Sequence, residues 1–175
     1  ITKVNWSQRP HGQVLMTLTG AAGEPFFGEP RNVLRRVAGR FADLGLVPVL
    51  GTTLEFHLTE RERTKSGPPR PPSETSGLGE VLKDISEAAA VQRLPATAPA
   101  PVSAPDQFRI DLEYAHDAPR AGDHAVFLRQ VVRAVARQSA LDASFMAKPY
   151  LDRAGNGMRV QAGVESDGGR CAFGD

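Results

Sequence analysis

The run Leu46–Leu58, LVPVLGTTLEFHL, constrains the fold more than any other stretch of the chain. Leu54, Phe56 and Leu58 alternate with Glu55 and His57. That two-residue period marks a strand, or two short ones, with one apolar and one polar face. Such a strand needs sheet neighbours and a covering layer on its apolar side. Glu55 on the polar face is either a ligand or merely a surface residue. His57 shares that face, has no ligand partner at a diagnostic spacing, and reads as surface or rim. Phe108, Ile110 and Leu112 alternate with Gln107, Arg109 and Asp111, which predicts another strand.

Three helices are expected to cover the sheet. Glu29–Leu44 has Pro30 in its first turn, Val33, Leu34, Val37 and Phe41 at helical spacing, and Gly45 to end it. Arg31, Arg35, Arg36 and Arg40 coat its other side as a solvated face. Glu80–Leu94 carries a modest apolar face of Val81, Leu82, Ile85, Ala88, Ala89 and Gln92. Asp117–Leu141 is the longest, with Asp117 as cap and Val126, Phe127, Leu128, Val131, Val132 and Val135 as its buried stripe. Arg129, Arg133 and Arg137 recur every four residues along it and read as a solvated face.

Between these elements the chain turns to proline and glycine. Val14–Leu18, closed by GAAGEP, predicts a strand preceded by a loop holding Trp6 and Pro10. Arg61–Gly79, with its PPRPP run, buries too little apolar area to order itself and reads as a mobile loop or extended spacer. Pro95–Pro105 is unsuited to a central strand because proline has no amide donor. Phe145–Gly163 predicts strand, glycine-bearing loop and strand, in which Gly155 and Gly157 permit a close backbone approach. The element order gives an α+β or α/β class without internal repeats.

Composition excludes several functions. The net charge of +1 supplies no global attraction to nucleic acid or membrane. The single cysteine, Cys171, leaves no internal disulfide, and no Cys/His spacing suits zinc. No apolar run approaches the ~18 residues of a membrane span. The N-terminal ITKVNWSQRP lacks the apolar core of a signal peptide, so a cytoplasmic location is expected.

The glycine stretch resembles the glutamine synthetase-like ligases, especially those joining glutamate to amines and polyamines. The family reads F-M-A-K-P-Y-x-D-R-A-G-S-G-M-H-V-H here. Phe145–Tyr150, Asp152–Gly155, Gly157 and Met158 match, whereas Arg159 and Gln161 replace the two histidines. GEPFFGEPRNVLRRV resembles the junction between the family's N-terminal β-grasp domain and its catalytic domain. LGLVPVLGTTLEFHL resembles its E-x-E strand, and Leu94–Leu112 resembles L-P-A-x-x-A-x-S-E-Y-G-P-G-Q-F-E-I-N-L. His116–Ala154 resembles its long helix and FMAKP strand. The resemblance implies an α+β fold: residues 1–28 as the end of a β-grasp-like domain, and 29–175 as the first half of a catalytic domain with an antiparallel sheet and flanking helices.

The family phosphorylates the glutamate side chain with ATP and lets an amine attack the acyl phosphate, using Mg²⁺ or Mn²⁺ held by carboxylates and a histidine. Carried over by position, its ligands fall on Thr53, Glu55, Val102, Arg109 and Arg159. Glu55 alone is retained as a metal position. At ~4 Å and an effective dielectric of ~20, each arginine would repel a divalent ion by roughly 8 kcal/mol. The implied site is therefore one without catalytic residues, in which Gly155, Asn156, Arg109 and Arg159 are candidate binders of glutamate or phosphate. Mg²⁺, Mn²⁺ and ATP belong to the family, and this chain is expected to hold none of them firmly. The family stacks as rings with active sites between subunits. The resemblance thus implies a homo-oligomer, or a partnership with a full-length ligase in nitrogen or polyamine metabolism, in which this chain is an accessory, non-catalytic subunit. Two alternatives stand beside it: a metal-independent anion-binding module, and a glutamate–amine ligase completed by a partner chain.

Overall fold

A computed structural model describes residues 2–3, 6, 11–61, 70–72, 77–166 and 169–173. Its elements are β1 (Thr2–Lys3), β2 (Gly12–Gln13), α1 (Pro30–Ala42), β3 (Leu46–Glu60), α2 (Leu78–Val91), β4 (Ala100–Pro101), β5 (Gln107–Ala115), α3 (Ala118–Gln138), β6 (Leu141–Ser144) and β7 (Met158–Ser166).

β3 is a single strand of 15 residues and the spine of an antiparallel sheet. β5 lies along one side of it, with Glu55 opposite Arg109 and Thr53 opposite Asp111. Along the other side lie two strands end to end. β7 pairs with the first half of β3, placing Arg159 opposite Thr53, and β6 pairs with His57–Glu60 at the other end. β4 adds a two-residue edge beyond β5, consistent with a proline-rich segment that cannot sustain a central ladder.

Strand alternation fixes the two faces. Leu54, Phe56 and Leu58 of β3 and Phe108, Ile110 and Leu112 of β5 point into the core. α2 and α3 cover them with Val81, Ile85, Leu128, Val131, Val132 and Val135. Burying one such side chain stabilises the fold by about 1.5–3 kcal/mol. Glu29 caps α1 by accepting from the Arg31 and Asn32 amides at 3.1 and 2.7 Å, and Asp117 caps α3 through the Arg120 amide at 3.0 Å. A bidentate pair from Arg31 to Asp123 ties α1 to α3.

Several expectations need correction. Val14–Leu18 forms no strand, and Val14, Met16 and Leu18 are exposed, since no sheet edge among the described residues pairs with them. Val126 is exposed because it lies about 200° around α3 from Leu128, off the buried stripe. Val33 and Val37 are also exposed, whereas the polar Asn32 is buried, its amide donating to the Leu18 and Phe26 carbonyls. Arg129 and Arg133 are not simply solvated: both lie over the Phe145 ring, at 5.1 and 5.3 Å. The strand expected at Phe145–Pro149 ends at Ser144. Pro10 and residues 62–69 and 73–76 of the expected loop lie outside the described residues, while Leu78 and Gly79, expected in that loop, form the start of α2.

Candidate functional site

The face of the sheet opposite the helices carries the polar alternates of three strands. Two rows cross it. One runs Asp111–Thr53–Arg159 and the next runs Arg109–Glu55–Gly157, the last joined by the Glu55 amide donating to the Gly157 carbonyl at 3.0 Å. Arg109 and Arg159 therefore sit diagonally, on the strands either side of β3, their backbones roughly 12 Å apart on the sheet. They line a cavity of about 460 Å³ with Thr53, Asp111, Tyr114 and Gln161.

Hydrogen bonds engage two of the acidic groups, Asp111 and Glu55. The Thr53 hydroxyl donates to Asp111 Oδ1 at 2.6 Å. Glu55 Oε2 accepts from the Gly157 amide at 2.7 Å, so this retained carboxylate links β3 to the start of β7. Tyr114 Oη donates to Gln161 Oε1 at 2.6 Å. Gly51 makes room for that contact, because a Cβ there would meet the Tyr114 ring at 2.9 Å. Arg109 Nε lies 3.8 Å from Asp111 Oδ2, beyond hydrogen-bond length. Arg159 has no ion pair among the described residues.

The glycine loop folds over the other end of this face. Asn156 donates to the Ser144 and Met146 carbonyls at 3.0 and 2.9 Å and accepts from Gln107 Nε2 at 3.2 Å. Its amide donates to the Ala147 carbonyl at 2.9 Å. These bonds take the backbone of residues 144–147 away from the ladder, which is why β6 stops early. Gly155 is required at its position, since a Cβ would lie 2.3 Å from the Ala147 oxygen. Its carbonyl accepts from Gln107 at 3.1 Å.

His57 lies beneath this loop and is fully buried, not at the rim. Tyr150 meets its ring edge-on at 5.1 Å. Burial lowers the His57 pKa, with the Asp106 carboxylate opposing and the Arg153 guanidinium assisting. Burial likewise pushes the Tyr150 phenol up to about 12, aided by Asp106. Arg153 pairs with buried Asp106 at 2.9 Å and lies over the Tyr150 ring. Sequence reasoning missed this layer of His57, Asp106, Gln107 and Tyr150. Its available signals were the family matches around Tyr150 and Arg153 and at Gln107.

Comparison with known proteins places the fold. The model of the glutamine synthetase catalytic domain matches residues 27–175. The chain belongs to the glutamine synthetase family. It is 34% identical to gamma-glutamylputrescine synthetase PuuA of Escherichia coli, over 94% of this chain and 38% of that protein. It is 27% identical to glutamate–isopropylamine ligase of a Pseudomonas species, over 99% of this chain and 40% of that protein. A solved glutamine synthase homolog superposes with a TM-score of 0.75 at 24% identity, covering 89% of this chain and 36% of that one. The chain thus spans well under half the length of these relatives.

The family implies ATP and divalent metals, and the donor set on this face does not fit the metals. Among the described residues no group of three or more His, Cys, Asp or Glu side chains is placed to hold a metal ion. Glu55 is engaged with Gly157, Thr53 donates to Asp111, and two guanidiniums stand where ligands are implied. Val102, the fifth position, is exposed and does not line the cavity. The Arg109 side chain is 50% exposed. Water therefore screens it, and the repulsion of a divalent ion at ~4 Å is nearer about 2 kcal/mol per arginine, the bulk-water limit, than the roughly 8 kcal/mol at a dielectric of ~20.

Proposed function

We propose that this chain is a glutamine synthetase-family subunit without ligase activity of its own, acting as an accessory partner to a full-length glutamate–ammonia or glutamate–amine ligase. The observation that carries the reading is the crossing of the two rows. Four of the five implied metal positions, Thr53, Glu55, Arg109 and Arg159, meet on adjacent strands, and two of them carry fixed positive charge. The names of the relatives, PuuA and the isopropylamine ligase, favour glutamate–amine chemistry for the partner. The outer edge of β7, where Met158 and Val160 are exposed, pairs with no strand among the described residues and supports assembly.

Mn²⁺ titration followed by electron paramagnetic resonance tests the loss of metal. The free-ion signal is expected to persist at stoichiometric Mn²⁺. Replacing both cations, Arg109→Glu with Arg159→His, is expected to raise Mn²⁺ affinity by about a thousandfold, from about 2 kcal/mol of repulsion removed at each position. Tight stoichiometric binding by the natural chain refutes the reading.

A further inference from the structure

We infer that the face carrying Arg109 and Arg159 is a metal-independent site for a small phosphate-type oxyanion, held directly by the two guanidiniums. The inference rests on the reading that divalent metal no longer occupies this face, and it assigns the face a ligand of its own.

The cavity of about 460 Å³ holds phosphate or a small phosphorylated molecule with room to spare. Its hydrogen-bonding balance favours an acceptor. Asp111 already accepts from Thr53, and the neighbouring Glu55 accepts from Gly157. Gln161 is turned by Tyr114 so that its carbonyl oxygen is used, which leaves its N–H groups to the cavity. The Thr97 hydroxyl oxygen accepts from the Asp111 amide, which leaves its proton to donate. Arg159 is unpaired among the described residues, and Arg109 touches Asp111 only loosely. Asp111 and Glu113 also line the cavity. They offset the two cations, so the site selects an anion that satisfies directed donors and is not a general anion sink.

The placement of the cations favours phosphate over carboxylate. Arg109 and Arg159 reach in from opposite sides of β3. A carboxylate presents two oxygens in one plane and is satisfied by one guanidinium fork. A tetrahedral oxyanion presents oxygens in several directions and can engage both forks at once.

Isothermal titration of the chain with inorganic phosphate in EDTA, at low ionic strength, tests this, with glutamate as a second probe. Saturable one-to-one phosphate binding is expected, weakening as salt is added. Arg109→Gln and Arg159→Gln are each expected to weaken it about tenfold or more, the effect of losing a hydrogen bond to a charged group. Both side chains are exposed, and unchanged melting temperatures of the variants verify folding. Three results overturn the inference: no phosphate binding, binding unchanged in the double variant, or glutamate bound more tightly than phosphate. Absent phosphate binding together with absent Mn²⁺ binding leaves the accessory-subunit reading standing. Phosphate binding that appears only with Mn²⁺ overturns both.

Discussion

Asn156→Ala separates a structural from a ligand-binding role for the residue beside Gly155. The side chain makes three hydrogen bonds: two donated to the Ser144 and Met146 carbonyls and one accepted from Gln107. A typical protein hydrogen bond contributes about 1 kcal/mol net. Water can replace part of the bond to Met146, near the surface, but not the bond to fully buried Gln107. The expected loss is therefore about 2–3 kcal/mol. For a chain of this size each kcal/mol lowers the melting temperature by about 2–4 °C, so a fall of about 4–12 °C is expected. Differential scanning calorimetry without ligand measures it. Asn156→Asp should lose at least as much, because it removes both donated bonds and faces two carbonyls with a carboxylate. A melting temperature within about 1 °C of the natural chain, paired with weakened anion binding, would refute the structural role and make Asn156 a ligand contact.

Two further outcomes follow from the same loop. Gly155→Ala puts a methyl group against a backbone carbonyl that has no flexible end to yield, so the loop must lift from Gln107. Hydrogen exchange of the Asn156 amide, now bonded to Ala147, should speed up by tenfold or more relative to the β3 core amides, and an unchanged rate would sink the claim. His57 is buried with a lowered pKa, so the unfolded chain binds the extra proton first as pH falls. Its contribution is complete above the unfolded value of about 6.5 and is lost as pH falls from there through the depressed folded value. Urea midpoints of the natural chain and of His57→Phe should therefore converge above about pH 7 in their pH slope and diverge below pH 6, and parallel curves throughout would contradict burial of a neutral ring.

The elements that declared themselves in the sequence are those whose partners lie close by or whose period is long. β3 and β5 were legible because each alternates over several residues, and α3 because its cap and stripe agree. His57 was misplaced because alternation reports which face a side chain takes, not what later covers that face. The cover is a loop about 90 residues further along the chain. Phe145–Pro149 has strand-like residues, and Asn156 overrules them by taking their carbonyls. Val14–Leu18 failed as a strand for the opposite reason, having composition without a partner. The convergence of Thr53, Arg109 and Arg159 was invisible to periodicity, because it depends on two antiparallel pairings between segments remote in sequence. Only the family resemblance brought those positions together in advance.

The same geometry explains how a metal site can be lost while the fold persists. In a strand the core side chains and the site side chains alternate, so the two sets are chemically independent along one backbone. Phe108, Ile110 and Leu112 bury the core face of β5, and Arg109 between them projects away from it, half exposed. Arg159 stands on β7 between exposed Met158 and Val160, where no buried neighbour constrains its size. Replacing the implied glutamate at 109 or the implied histidine at 159 costs the fold little, since no packed contact is broken. Thr53 is the exception, being buried, and its hydroxyl has acquired Asp111 as a partner. The family's strand reads F-E-I-N-L where this chain reads Phe108–Leu112 with Asp111. A glutamate returned to position 53 alone would therefore face a carboxylate at hydrogen-bond distance. The Thr53 hydroxyl and the Asp111 carboxylate thus fit one another as donor and acceptor on this face.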